Sequence, residues 1–322
     1  WFYGGAYTEG GGSMPFANGA RLATKGVIIV SLNYRVGPYG FLSTPELTAA
    51  SPHHASGNQA LSDSIAALKW VKANIAAFGG DPNNVTIFGQ SAGACITAAL
   101  VGSPVASGLF QKAISESGAW AGLTATKMVT REAAEKQTAA AMEKAGVHSL
   151  AELQALPADQ VAKLGRAQGI IVDGWIVPED ESITFAQGRQ NKVAVLLGSN
   201  GNEGGSFGPP GGVKTTAAAW KAGAAQRWKD LAELGLKAYP AETDAQAQAF
   251  SSRPFTDGIA WFMHHYASEQ AKVGKASYLY QFAHNPPAAP GKPSGGPTHA
   301  SELAYVFNNL DKPREVPDPS SP

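Results

Sequence analysis

Gly89-Gln90-Ser91-Ala92-Gly93 holds a serine between two glycines. Val85–Phe88, just before it, is a short β-branched and aromatic run of the buried-strand type. The Ala-rich apolar stretch from Ala92 onward reads as a helix. A strand that turns into a helix this abruptly needs glycines, because Cβ atoms beside the central residue would collide and the backbone there is strained. The turn pushes the Ser91 hydroxyl beyond the strand end, near the positive end of the helix dipole. A nucleophile for acyl transfer would stand there. The alternative is a glycine-bounded turn whose serine only caps the helix.

A serine nucleophile needs a base, an orienting acid and an oxyanion site. Glu203 lies in Gly198–Phe207, a glycine-rich loop past the apolar run Val193–Leu197, where an acid can meet a histidine. His299 follows the strand-like Tyr278–Phe282 and the Pro- and Gly-rich loop Asn285–Pro297, and precedes a short helix. That is an arrival point for a general base. Near the start, Trp1-Phe2-Tyr3 runs into Gly4-Gly5-Ala6, whose backbone N–H groups are uncovered by side chains. The alternative there is a plain turn. Ser117, at a strand end, could hydrogen-bond a catalytic group or satisfy a turn. Trp120 could line a pocket or cap the core, and Phe207 is a second candidate for a pocket wall.

The elements that position these residues alternate. Val27–Leu32 is apolar throughout and predicts a buried parallel strand, and Phe110–Ile114 predicts another. Leu61, Ile65, Leu68, Val71 and Ile75 recur at helical spacing and predict a helix over Asn58–Phe78, stopped at Gly79-Gly80-Asp81-Pro82. Helical texture returns in Arg131–Ala145, Leu150–Leu164, Thr215–Leu236 and Asp257–Gln270. Strands alternating with helices indicate an α/β class, with a mostly parallel central sheet, helices on both faces and helical covering segments. No internal repeat and no clear linker interrupt the chain, so residues 1–322 read as a single domain.

Composition narrows the classes. The 322 residues carry 25 Lys+Arg against 25 Asp+Glu, with no basic stripe for nucleic acid. The one cysteine, Cys95, excludes an intrachain disulfide, and the seven histidines form no cysteine–histidine cluster of metal spacing. No apolar run reaches membrane-span length. The chain opens at Trp1 inside an apolar stretch and closes in the proline-rich 313–322, so an internal piece of a longer protein is expected. Localisation is open, with low charge leaning toward an exported protein.

Several stretches together resemble the type-B carboxylesterase family, which includes the cholinesterases: Trp1–Ala6, Asn33–Leu42, Gly57–Gly93 with its FGGDPNNVTIFGQSAG, Ser117-Gly118, Val172–Pro178, Asn202–Phe207 and His299–Phe307. The resemblance implies an α/β-hydrolase fold and ester hydrolysis through Ser91, Glu203 and His299, in that family's order of nucleophile, acid and histidine. It implies an oxyanion hole from the N–H groups of Gly5, Ala6 and Ala92, a small-molecule ester substrate and no metal or organic cofactor. It also implies further segments before Trp1 and after Pro322. Gln90 stands where the family usually has a glutamate, and Ala6 where it usually has a third glycine. A catalytically silent binding protein, or an amidase on the same fold, are the alternatives.

Overall fold

A computed structural model describes residues 1–124, 127–164, 169–207, 214–287 and 295–311. The Pro209–Gly212 loop and the proline-rich 313–322 lie outside the described residues. A sheet runs in the order β1-β2-β3-β4, with β1 Thr86–Gln90, β2 Lys112–Glu116, β3 Ala194–Asn200 and β4 Ser277–Phe282. β1 pairs parallel with β2 from Thr86–Lys112 to Gln90–Glu116, and β2 with β3 from Lys112–Ala194 to Glu116–Gly198. Ile87, Ala113, Val195 and Leu197 are buried on one face of these strands, whereas Leu196, on the other, is 37% exposed.

Apolar content located the strands better than their ends. Phe110 is buried but precedes β2, because Gln111 and Lys112 both donate their N–H to Val85 O, at 2.9 and 3.3 Å. Val27–Leu32 is a correction: no regular element forms there, and Val27 and Ile28 are 47% and 45% exposed. An extended run becomes a strand only when its backbone groups find partners. Among the described residues, the backbone bond along this run comes from the Trp1 amino group to Val30 O at 2.8 Å. Phe2 donates to Phe88 O at 2.8 Å and bridges parallel to Gly89, which lays Trp1–Tyr3 beside β1.

Helix α1, Gln59–Asn74, buries Leu61, Ile65, Leu68 and Val71 and passes through a tight turn, Ile75–Phe78, to Gly79 at φ +82°. Helix α2, Ala92–Gly102, is buried along almost its whole length, as a helix apolar on all faces must be. Helix α3, Arg131–Lys144, starts on a Thr130 side-chain cap. The single helix expected over Leu150–Leu164 is two, Leu150–Ala155 and Ala158–Ala162. Pro157 keeps Leu156 extended, at ψ +144°. Thr215–Leu236 likewise divides, into Ala217–Ala222, Ala224–Trp228 and a last helix, Ala232–Ala238, with Gly223 at the first break. Helix α4 is Arg253–Lys272. Among the described residues no helix is long and apolar enough to cross a membrane.

The chain divides into two compact units. The first takes Trp1–Gly198, Phe262–Tyr280 and Leu303–Pro322 and includes the fully buried Phe2, Leu61, Ile96, Leu100 and Phe185. The second takes Ser199–Trp261 and Gln281–Glu302. Its own small core joins Trp220, Ala241 and Ala247, with Trp228, Tyr239 and Phe250 packed against them. The Arg227 guanidinium lies 4.1 Å from the Trp220 ring centre, a cation–π contact on that core.

Candidate active site

In the first unit, Ser91 joins β1 to α2 at φ +56°, ψ −122°, a conformation that side-chain-bearing residues rarely adopt. Its backbone is pinned at both ends. Ser91 N–H donates to Glu116 O at 2.9 Å, and Ser91 O accepts from Cys95 N–H at 3.0 Å. The flanking glycines have no room to be anything else. A Cβ on Gly93 would lie 2.0 Å from Phe2 O, and one on Gly89 2.4 Å from Gly93 O. Gly118 likewise faces Ser91 O, with an added Cβ at 2.6 Å.

The Gly4–Tyr7 turn lies against this serine: a Cβ on Gly4 would come within 3.1 Å of Ser91 Cβ. Gly5, Ala6 and Tyr7 have φ of +108°, +53° and +67°, and Thr8 and Glu9 N–H groups close the turn onto Gly5 O. Tyr3 and Tyr34 brace it from behind. Their rings stack at 4.2 Å and each hydroxyl donates to the other's carbonyl, at 2.7 and 2.6 Å. Among the described residues the N–H groups of Gly5 and Ala6 have no protein acceptor. Ala92 opens α2, so its N–H has none inside the helix. These are the N–H groups that the family resemblance implies as oxyanion donors.

The supporting residues are also fixed. Gln90 is buried at the end of β1 opposite Glu116. Ser117 is buried at φ +57°, with its N–H donating to Gly198 O at 2.8 Å. Trp120 is buried, stacked on Phe185 at 4.1 Å and edge-on to Tyr266, with its indole N–H donating to Ser182 Oγ at 3.0 Å.

The second unit brings Glu203 and His299 together. Asn202 bridges Thr298 in parallel and its N–H donates to Pro297 O at 3.0 Å, which zips the two loops one residue away from each side chain. His299 Nδ1 lies 2.6 Å from Glu203 Oε2. Glu203 has no exposed surface, and its Oε1 accepts the Asn200 N–H at 2.6 Å. An ionised carboxylate can only accept, so Nδ1 is the donor in such a pair and Nε2 keeps the lone pair of a base. Phe207 is 57% exposed, with its ring centre 5.1 Å from the imidazole and 4.9 Å from Phe255.

Two neighbours of this pair were not singled out from the sequence. Asn200 is fully buried, and its side chain donates to Thr298 O at 2.7 Å and to Glu302. In a run of Ser, Asn and Gly it reads as turn chemistry. Glu302 is also buried, and burial raises its carboxyl above the ordinary value. Its spacing from His299 in Thr298–Leu303 was the available hint. Among the described residues no group of His, Cys, Asp and Glu is arranged to hold a metal ion.

A parallel sheet flanked by helices, with a strained serine between strand and helix, defines the α/β-hydrolase fold. The profile of the carboxylesterase family matches residues 1–315, and the chain belongs to that family. It is 36% identical over 320 residues to the fumonisin B1 esterase of Sphingopyxis macrogoltabida, covering 96% of this chain and 57% of that protein. It is 36% identical to the para-nitrobenzyl esterase of Bacillus subtilis, covering 97% and 63%. Neuroligin-3 of Homo sapiens is 31% identical, over 95% of this chain and 39% of that protein. A solved carboxylesterase of Geobacillus stearothermophilus superposes with a TM-score of 0.82 at 30% identity, over 99% of this chain and 68% of that one. The chain thus spans about three-fifths of the length of the two esterases it matches.

Proposed function

We propose that this chain is the catalytic portion of a serine carboxylesterase that works by two-step acyl transfer. The observation that carries the reading is the His299–Glu203 pair, 2.6 Å apart around a fully buried carboxylate, in a chain whose Ser91 has the strained strand-to-helix conformation. Ser91 attacks the ester carbonyl while His299 takes its proton and then passes it to the leaving alcohol. Glu203 orients the imidazole and stabilises its cation. The N–H groups of Gly5, Ala6 and Ala92 receive the developing oxyanion, each worth about 3 kcal/mol by comparison with other oxyanion donors. Water then attacks the acyl-serine with His299 as base. Every proton transfer is served by these side chains.

The names of the two esterase relatives support a small-molecule carboxylic ester as substrate. The likeness to neuroligin-3 is the observation behind the second reading, a catalytically silent binding protein on the same fold. Against it stand the serine, glutamate and histidine, all present. An ester panel varied in acyl and alcohol length, run with matched anilides, tests the assignment. Turnover of esters well above anilides supports an esterase; the reverse supports an amidase, and no turnover of either supports the silent reading.

A further inference from the structure

Asn200 touches both loops of the acid–base pair, and does so at the carboxylate and on either side of the histidine. Its backbone N–H holds Glu203 Oε1 at 2.6 Å. Its side-chain amide donates to the carbonyl of Thr298, the residue before His299, at 2.7 Å, and to the carboxylate of Glu302, three residues past it. A single fully buried residue therefore fixes the acid from one side and brackets the histidine from both. We propose that Asn200 is a positioning residue, setting the distance and ring plane of His299 against Glu203 through this double hold. The proposal rests on the acid–base role given above to His299 and Glu203.

The chemistry of the amide suits the task. Asn200 offers two N–H donors to two acceptors, a carbonyl and a carboxylate, and carries no charge of its own. An aspartate of the same shape has no donor when ionised. It would set a third carboxylate beside Glu203 and Glu302, and would release the Thr298 carbonyl. Burial already raises the Glu302 carboxyl, and the Asn200 amide favours its charged form, ahead of Glu302's own backbone N–H and His299. Glu302 and Asn200 are therefore coupled, and exchanging their chemistries should restore part of what a change at either one loses.

The test compares Asn200→Asp, Asn200→Ala and the double exchange Asn200→Asp with Glu302→Gln, with His299→Asn as reference. Active-site titration with a fluorophosphonate counts competent sites, so rates are read per site. The expected result is a fall in kcat per site on the order of 10²-fold for both single changes at position 200, with KM within about threefold. The double exchange recovers about tenfold of it. A kcat per site within threefold of wild type overturns the proposal. So does a loss explained wholly by fewer titratable sites, or a double exchange no better than Asn200→Asp. If His299→Asn itself keeps normal turnover, the acid–base reading fails first and takes the proposal with it; if His299→Asn is inactive, the fate of Asn200 is decided on its own.

Discussion

Ser91 is where the account is most exposed to a single substitution. Removing its hydroxyl by Ser91→Ala leaves the φ +56° backbone in place, and kcat should fall by a factor on the order of 10⁶ with the fold unchanged by circular dichroism. Glu203→Gln is subtler. The amide can still accept from Asn200 N–H, but it no longer carries the charge that stabilises an imidazolium, and it can present a donor to Nδ1. A wrong tautomer of His299 would then be favoured, and kcat should drop on the order of 10⁴-fold with KM little altered. Steady-state kinetics on an aryl ester reads both. Ser91, Glu203 and His299 stood out as candidates in the sequence because each follows a strand-like run, two of them in glycine-rich turns. Asn200 and Glu302 did not: polar residues in a turn-rich run look alike until the fold decides which of them are buried.

Among the elements, the strand–Ser91–helix turn depends on contacts that leave no space for a methyl group. Gly93→Ala would put a Cβ 2.0 Å from Phe2 O, and the backbone of the Trp1–Tyr3 segment would have to move. A stability loss of about 3 kcal/mol is expected, visible as a lower denaturation midpoint. Gly5→Ala is a different case. Its φ of +108° and the 2.2 Å approach to Glu9 O would shift the loop that carries two of the proposed oxyanion donors. There kcat should fall on the order of 10²-fold, a loss exceeding any change in KM. The pattern of apolar residues located β1, β3, β4, α1 and α4 within a few positions. It failed for Val27–Leu32, whose apolarity predicted a strand that backbone pairing does not supply. It failed again across Leu156-Pro157, where one proline outweighed an unbroken helical period.

For the molecule as a whole, stability should depend on pH through one buried carboxyl group. Glu181 is buried, one of its oxygens accepts the Ala121 N–H at 2.9 Å, and burial pushes its pKa up from 4.5 to about 8. The folded chain therefore keeps a proton that the unfolded chain has released across that interval. Its contribution to stability is complete below pH 4.5 and declines as pH rises toward 8. Tm measured at pH 5 and pH 8 should fall more for the wild type than for Glu181→Gln; equal falls would remove Glu181 as the cause. Strands alternating with helices indicated an α/β chain, and the structure divides it into two compact units. The Ser91 turn belongs to one of these and the Glu203–His299 pair to the other.

The central claim is that Ser91 is a nucleophile activated by His299. Its most direct measurement is covalent labelling by a fluorophosphonate probe, with the modified residue mapped by peptide mass. The account predicts one adduct per chain, on the peptide carrying Ser91, absent in Ser91→Ala and formed at least about a thousandfold more slowly in His299→Asn. An unlabelled wild-type chain, an adduct on another residue, or labelling that His299→Asn leaves at the wild-type rate would contradict it.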